Sequence, residues 1–145
     1  PMKVIETNID DMNPEFYEHI MDQLFKAGAA DVFFTPVYMK KNRPGTHLTA
    51  IVPNECFDSA ARIILEETST FGIRHYDIGR TALTRKQKLI KTSFGKVRIK
   101  IGLLNESRLT ISPEYEDCKK VAVRKGIPVK RVYEEALRIA GNLEE

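Results

Sequence analysis

The chain contains 145 residues, 42% hydrophobic and 30% charged, which are the proportions of a soluble globular protein with one domain. Its 23 basic and 20 acidic residues leave a formal net charge of +3, a balance too even to indicate nucleic-acid binding by itself. No apolar run is long enough to predict a membrane-spanning helix, and no signal-peptide pattern occurs. Cys56 and Cys118 form neither a CxxC pair nor a disulfide framework, so we expect a protein of the reducing cytoplasm.

An acidic turn separates the first predicted strand from the first predicted helix. Residues 3–7 are rich in β-branched side chains, whereas apolar residues recur at helical spacing from Phe16. The sequence Asn13-Pro14-Glu15 is typical of a helix start, with a capping amide, a proline whose φ suits the first turn and an acid facing the dipole. Asp10 and Asp11 have no such role. Adjacent acids here predict either a Mg²⁺ or Mn²⁺ site, because these ions prefer oxygen ligands, or a solvated acidic turn.

The elements that follow give the order βαββαβ, which is the ferredoxin-like motif. Gly28 is expected to end the first helix at positive φ, and Gly72 is also expected to have positive φ. The predicted elements are a strand at 31–39, a loop at 40–45, a strand through 48–52, a helix from 54 to about 66 and a strand from 73 to about 81.

The remainder predicts a β-hairpin and two helices. Residues 89–92 and 97–103 flank a turn, and the second arm alternates apolar and basic residues. Ser112-Pro113-Glu114 is expected to open a helix that Gly126 ends, and Pro128 begins the last helix. We therefore predict one α+β domain over residues 1–145: a ferredoxin-like half at about 3–82 and a hairpin with a helical tail at about 86–143.

Three polar segments are predicted to converge at one edge of the sheet. In a βαββαβ sheet with right-handed crossovers, the first two strands run the same way and the third returns. The loop after the first strand, the loop between the second and third strands and the end of the second helix then lie together. They contain Asp10 and Asp11; Lys40, Lys41 and Arg43; and Glu67, Thr68 and Thr70, and Arg74 follows at the same edge. This grouping predicts a metal–polyphosphate site, because cations bind phosphates and acids bind the metal.

Four segments also carry a family resemblance. ETNIDDMNPE (6–15), MKKNRPG (39–45), ETSTFGIR (67–74) and PEYEDC (113–118) resemble the C-terminal domain of the LarC-type nickel-insertion proteins. That resemblance implies a CTP-dependent cyclometallase of the lyase class, which inserts nickel into a dithiolated pyridinium mononucleotide to complete the nickel-pincer cofactor of lactate racemase. It also implies that CTP is cleaved to CMP and pyrophosphate with a divalent metal, and that this part binds the CTP.

The resemblance gives the predicted site residues specific roles. Lys40, Lys41, Arg43 and Arg74 are expected to bind the triphosphate, and Asp10, Asp11 and Glu67 to bind Mg²⁺ or Mn²⁺. Thr68 and Thr70 are expected either to bond phosphate oxygens or to cap the second helix. The implied partners are the N-terminal portion of a longer protein, the pyridinium dithiocarboxylate mononucleotide and further copies of the chain. This domain alone is not expected to complete the reaction.

Two other classes of function remain open from the sequence. A ferredoxin-like sheet with a basic strand is compatible with an RNA-binding module, although paired aromatic residues on adjacent strands are missing. A small-molecule-sensing or oligomerisation domain without chemistry is the second alternative. His19, His47 and His75 lack metal-ligand spacing, so we expect each to be structural and nickel to be the inserted substrate metal rather than a resident ion.

Overall fold

The structure is a computed structural model that describes residues 1–143. It contains two compact units, one formed by Pro1–Arg80 and the other by the chain from Thr81 onward. Within residues 1–143, no helix is both long and apolar enough to cross a membrane.

The first unit is a four-stranded antiparallel sheet with two helices. Its elements are β1 (Met2–Ile9), α1 (Tyr17–Lys26), β2 (Asp31–Met39), β3 (Arg43–Pro53), α2 (Phe57–Glu67) and β4 (Arg74–Ile78). The strand order is β2-β3-β1-β4, and every neighbouring pair is antiparallel. The predicted βαββαβ ferredoxin-like arrangement is therefore confirmed. Because β1 and β2 run in the same direction, the end of β1, the β2–β3 turn and the start of β4 share one edge of the sheet.

The core of this unit lies between one face of the sheet and both helices. Ile5 and Leu48 point from neighbouring strands toward Ile20 of α1 and Ile64 of α2, and all four side chains are fully buried. Burial of one such aliphatic side chain stabilises the fold by about 1.5–3 kcal/mol. Side chains alternate along β3, so that His47 and Thr49 lie on the face opposite Leu48, which the helices do not cover.

The ends of α1 agree with the predicted capping residues, but the prediction for Gly72 is wrong. The Asn13 side chain accepts a hydrogen bond of 3.1 Å from the Glu15 amide, just before α1. Gly28 follows α1 with a φ of +96°, which favours glycine. The expected positive φ of Gly72 was wrong, because positive-φ glycines in the described chain are Gly28, Gly95 and Gly126. Gly72 therefore needs another explanation.

The second unit is a three-stranded antiparallel sheet packed against two helices. Its elements are β5 (Thr84–Lys91), β6 (Lys96–Leu104), β7 (Ser107–Pro113), α3 (Tyr115–Lys125) and α4 (Val129–Gly141). The predicted hairpin and both helices are present, and β7 is an additional strand that the sequence did not indicate. The expected helix start at Ser112-Pro113-Glu114 was wrong in detail, because Pro113 ends β7 and α3 begins at Tyr115.

An ion pair connects α3 to β6 within the second unit. The Asp117 carboxylate accepts hydrogen bonds from Arg98 Nε at 2.8 Å, Arg98 Nη2 at 2.7 Å and the Arg98 amide at 3.0 Å. These bonds favour the carboxylate and lower the pKa of Asp117 to about 2. Arg98, one of the alternating basic residues of β6, is thus held by Asp117. Cys118, next in sequence, is buried among apolar residues, and burial raises the pKa of its thiol.

Candidate functional site

A polar cavity of about 440 Å³ lies at the edge of the first unit where the three predicted loops meet. Its lining residues are Thr7, Asn8, Asp10, Asp11, Met39, Ser69, Thr70, Phe71, Gly72 and Arg74. Four of these, Asp10, Asp11, Thr70 and Arg74, belong to the site predicted from the sequence. The volume is within the range of roughly 300–1,000 Å³ that is typical of small-molecule sites.

The two acids after β1 contact both of the other loops. An Asp10 oxygen lies 3.5 Å from Arg43 Nη1, at the start of β3. Asp11 accepts a hydrogen bond of 2.5 Å from the Ser69 hydroxyl, after α2. The acids therefore join the three chain segments, and Arg43 partly neutralises the charge of Asp10.

Gly45 allows the β2–β3 turn to approach the acidic loop. A Cβ at this position would lie 2.9 Å from the Ile9 carbonyl oxygen and 2.6 Å from the sulfur of Met39. Both distances are too short for a side chain, and backbone cannot easily shift. Glycine at position 45 thus lets Met39 lie beside the end of β1, where it lines the cavity.

The two predicted threonines have different positions. The Thr68 hydroxyl donates to the Ile64 carbonyl at 2.6 Å and so caps the end of α2. The Thr70 and Thr7 hydroxyls are 2.6 Å apart, and they lie 2.9 and 3.1 Å from the Gly72 carbonyl oxygen. Thr70 lines the cavity, whereas Thr68 does not.

Arg74 extends the site along the uncovered face of the sheet. Its guanidinium donates to the Asn8 side-chain oxygen at 3.2 Å and lies 3.8 Å from the Glu6 carboxylate. Glu6 also accepts a 2.9 Å hydrogen bond from the Tyr76 hydroxyl, and this bond raises the pKa of Tyr76. His47 contacts both Asn8 and Glu6 from β3. Arg74 is thereby oriented by two side chains of β1, although it is more than half exposed.

Five of the predicted residues do not line the cavity: Arg43 and Thr68, described above, and Lys40, Lys41 and Glu67. Lys40 and Lys41 are exposed in the turn that follows Met39, and Lys41 has a φ of 61°. Glu67 lies 3.7 Å from His19, on α1. Among residues 1–143, no three His, Cys, Asp or Glu side chains are grouped to hold a metal ion. The binding roles of all nine predicted site residues stay predictions.

Six of the lining residues were not predicted from the sequence. They are Thr7, Asn8, Met39, Ser69, Phe71 and Gly72. The strand period of two could have indicated Asn8, which shares the uncovered face with Glu6. No sequence signal distinguished Ser69 from Thr68, because the direction of a side chain in a loop depends on backbone angles that neither residue specifies.

The donor set of the cavity fits a hard divalent cation. Two carboxylates on adjacent residues provide oxygen ligands, and the hydroxyls of Ser69 and Thr70 lie beside them. Magnesium and manganese commonly bind one or two carboxylates together with phosphate oxygens. Arg43 and Arg74 supply positive charge next to the acids, as a phosphate-bearing ligand requires.

The chain is similar to nickel insertion proteins along most of its length. The family model described as "Nickel insertion protein" matches residues 1–133. The chain is 50% identical over 131 residues to the pyridinium-3,5-bisthiocarboxylic acid mononucleotide nickel insertion protein of Acetivibrio thermocellus, and 44% identical over 130 residues to that of Thermotoga sp. (strain RQ2). Each alignment covers 90% of this chain but 32% of the relative. The chain thus spans about a third of the length of these relatives.

Solved structures show the same fold. One is LarC2, described as the C-terminal domain of a cyclometallase involved in the synthesis of the NPN cofactor of lactate racemase, in its apo form. It is similar to this chain with a TM-score of 0.91 and 38% identity, covering 98% of this chain and 97% of that one. Protein MK0293 from Methanopyrus kandleri AV19 has a TM-score of 0.70 at 23% identity, covers 92% of this chain and 82% of that chain, and supports the fold alone.

Proposed function

Because the chain belongs to the nickel insertion protein family, we propose that it binds CTP with Mg²⁺ or Mn²⁺ as one domain of a nickel-inserting enzyme. The longer enzyme would complete the nickel-pincer nucleotide cofactor, with nickel as the inserted substrate metal. The observation that carries the CTP proposal is the cavity in which Asp10, Asp11 and Arg74 meet.

Asp10 and Asp11 are the residues that would hold the divalent cation. Their charges would repel a triphosphate in the absence of metal, and a bound cation would neutralise them and contact phosphate oxygens. Such a cation supplies charge stabilisation to the phosphates during cleavage of CTP. Glu67 is a weaker candidate, since it pairs with His19 outside the cavity lining.

Arg43 would change partners when metal and nucleotide bind. In the structure it lies 3.5 Å from Asp10, and its side chain is 62% exposed. A cation at Asp10 would compete for the carboxylate, which leaves the guanidinium for a phosphate oxygen. Arg74 would bind phosphate from the start of β4, and Lys40 and Lys41 would contribute from the β2–β3 turn. The Thr70 hydroxyl would contribute a further hydrogen bond.

Other parts of the enzyme would complete the reaction. The chain spans about a third of its relatives' length, so the N-terminal portion would supply the contacts to the pyridinium dithiocarboxylate mononucleotide. We place the whole enzyme among the CTP-dependent cyclometallases, acting in the cytoplasm as a homo-oligomer. This domain would bind the nucleotide without completing nickel insertion alone.

Titration calorimetry of CTP into this chain tests the proposal. We expect measurable binding with Mn²⁺ present and much weaker binding in EDTA, because the acids then face the phosphates without a cation. Polyuridine RNA at several salt concentrations is the control for the RNA-binding alternative, since phosphate contacts with RNA weaken steeply with salt. Equal CTP affinity in Mn²⁺ and EDTA would exclude the metal role of Asp10 and Asp11.

A further inference from the structure

Phe71 is an apolar side chain beside a polar cavity, and folding does not explain it. Its relative exposure is 106%, higher than that of any other large apolar side chain in residues 1–143. A ring left in water forgoes the favourable free energy of burial. Phe71 nevertheless lines the same cavity as Asp10, Asp11 and Arg74.

Hydrogen bonds fix the backbone on both sides of this ring. Thr70, before Phe71, contacts the Thr7 hydroxyl at 2.6 Å, and Thr7 is 2% exposed within β1. Both hydroxyls also lie within hydrogen-bond distance of the Gly72 carbonyl oxygen, after Phe71. The exposed ring is therefore attached to the sheet at two points rather than carried by an unanchored loop. A loop backbone held in this way loses little conformational entropy when a ligand binds to the ring.

The space next to the ring is open. Gly72 does not have positive φ, and a Cβ added to it would meet no protein atom within 4 Å. Neither backbone conformation nor packing explains glycine at this position. A ligand that approaches the backbone beside Phe71 does explain it, because glycine leaves the most room.

We propose that Phe71 is the surface on which the nucleobase of the bound nucleotide stacks. This inference rests on the proposed CTP-binding function and assigns the base a place in the cavity, while metal and phosphates lie at the acids and arginines. In proteins that bind single-stranded nucleic acids, planar bases stack on exposed aromatic rings, and the same contact is open to the base of a single nucleotide. Since every base has a π-face, the ring adds affinity and does not select cytosine.

A comparison of two ligands separates stacking from phosphate binding. Both CTP and inorganic tripolyphosphate are titrated with Mg²⁺ into the parent chain and Phe71→Ala. Base stacking on an aromatic ring corresponds to about a five- to hundred-fold gain in affinity. We expect Phe71→Ala to weaken CTP by a factor in this range and to leave tripolyphosphate unchanged.

Tyr38→Ala is the matched control for loss of an exposed aromatic ring. Tyr38 is 81% exposed at the same edge of the sheet, but it does not line the cavity. We expect Tyr38→Ala to bind both ligands as the parent does. A Phe71→Leu variant, which keeps an apolar side chain without a π-face, should lose most of the CTP affinity that Phe71→Ala loses.

Phe71→Trp provides a second readout that does not depend on affinity. The chain contains no tryptophan, so the substituted indole would be its single tryptophan fluorophore. With Mg²⁺ as the metal, CTP should change the indole emission strongly, and tripolyphosphate should leave it nearly unchanged. Both results would support a base against the ring.

Several results would overturn the inference. Unchanged CTP affinity in Phe71→Ala would assign the ring to another partner, such as the rest of the longer protein. Equal weakening of CTP and tripolyphosphate would mean that the ring only shapes the loop. In both cases the proposed function would stand, because the parent chain still binds CTP with metal. Failure of the parent to bind either ligand would instead refute the proposed function itself.

Discussion

Asp10→Asn should separate the metal-binding role of this residue from its structural role. The substitution keeps the shape of the side chain and removes its charge. The lost contact is an ion pair of 3.5 Å with Arg43, whose side chain is 62% exposed. Surface pairs of this kind contribute about 0–1 kcal/mol, so the free energy of unfolding should fall by less than about 1 kcal/mol.

The effect on nucleotide binding should be larger and should depend on metal. Loss of a charged contact costs roughly 1.5–3 kcal/mol, which corresponds to about a ten- to hundred-fold weaker CTP affinity in Mn²⁺. In EDTA the same variant should bind CTP as well as the parent or better, because one repulsive charge has been removed. Asp77→Asn is the matched control, since Asp77 forms an exposed pair with Lys3 in the same sheet.

Calorimetry in Mn²⁺ and in EDTA, with urea unfolding of each variant, measures both effects. If Asp10→Asn and Asp77→Asn bound CTP equally well in Mn²⁺, the metal-binding role of Asp10 would be refuted. A free energy of unfolding lowered by several kcal/mol in Asp10→Asn would also refute this separation of roles, because Asp10 would then be a structural residue.

Three further predictions concern the phosphates, the second unit and nickel. Lys40→Ala and Arg43→Ala should each weaken CTP binding about tenfold or more, because they remove contacts to the triphosphate, and should weaken CMP binding less. Calorimetry measures both affinities. If both variants bound CTP as the parent does, the phosphate contacts would lie elsewhere. Asp117→Asn should lower the free energy of unfolding at pH 7 by about 1–2 kcal/mol. The expected loss is small because Arg98 is half exposed, and solvent screens its attraction to Asp117. Because the folded-state pKa of Asp117 is lowered to about 2, the carboxylate stabilises the fold at pH values above its ordinary pKa. Urea unfolding should therefore show that the stability difference between parent and variant disappears between about pH 4 and pH 2. A stability difference that is constant down to pH 2 would contradict this prediction. Equilibrium dialysis should detect no tight Ni²⁺ binding by this chain. The prediction would be contradicted by stoichiometric Ni²⁺ binding with submicromolar affinity that Mn²⁺ cannot displace and that a His47→Ala variant loses.

Most of the fold followed from local sequence signals with clear physical causes. The Asn13 cap and positive-φ Gly28 indicated the ends of the first helix, and both are present. The strand β7 was missed because its turn has no glycine. Asn105 and Glu106 adopt φ values of 49° and 68°, which hairpin turns usually obtain from an Asn-Gly pair.

The cavity could be predicted only at the level of chain segments. Topology alone places the Asp10–Asp11 turn and the segment after α2 at one edge of the sheet. The positions of four lining residues, Asp10, Asp11, Thr70 and Arg74, were therefore predicted. Neighbouring side chains then face different ways, which is why Ser69 contacts Asp11 while Thr68 caps α2. Phe71 gave no signal, because a sequence does not reveal whether an aromatic ring in a loop is packed or exposed.

Paramagnetic broadening of backbone amide signals would locate a divalent cation bound in this cavity. A small amount of Mn²⁺ is added to the isotope-labelled chain with saturating CTP and Mg²⁺, and the broadened signals locate the bound ion. Bound at Asp10 and Asp11, Mn²⁺ should broaden residues 8–12 and 69–72 most strongly, and CTP should intensify the effect. Broadening centred on the acids of α3, or identical with and without CTP, would contradict the claim that this cavity binds a metal–CTP complex.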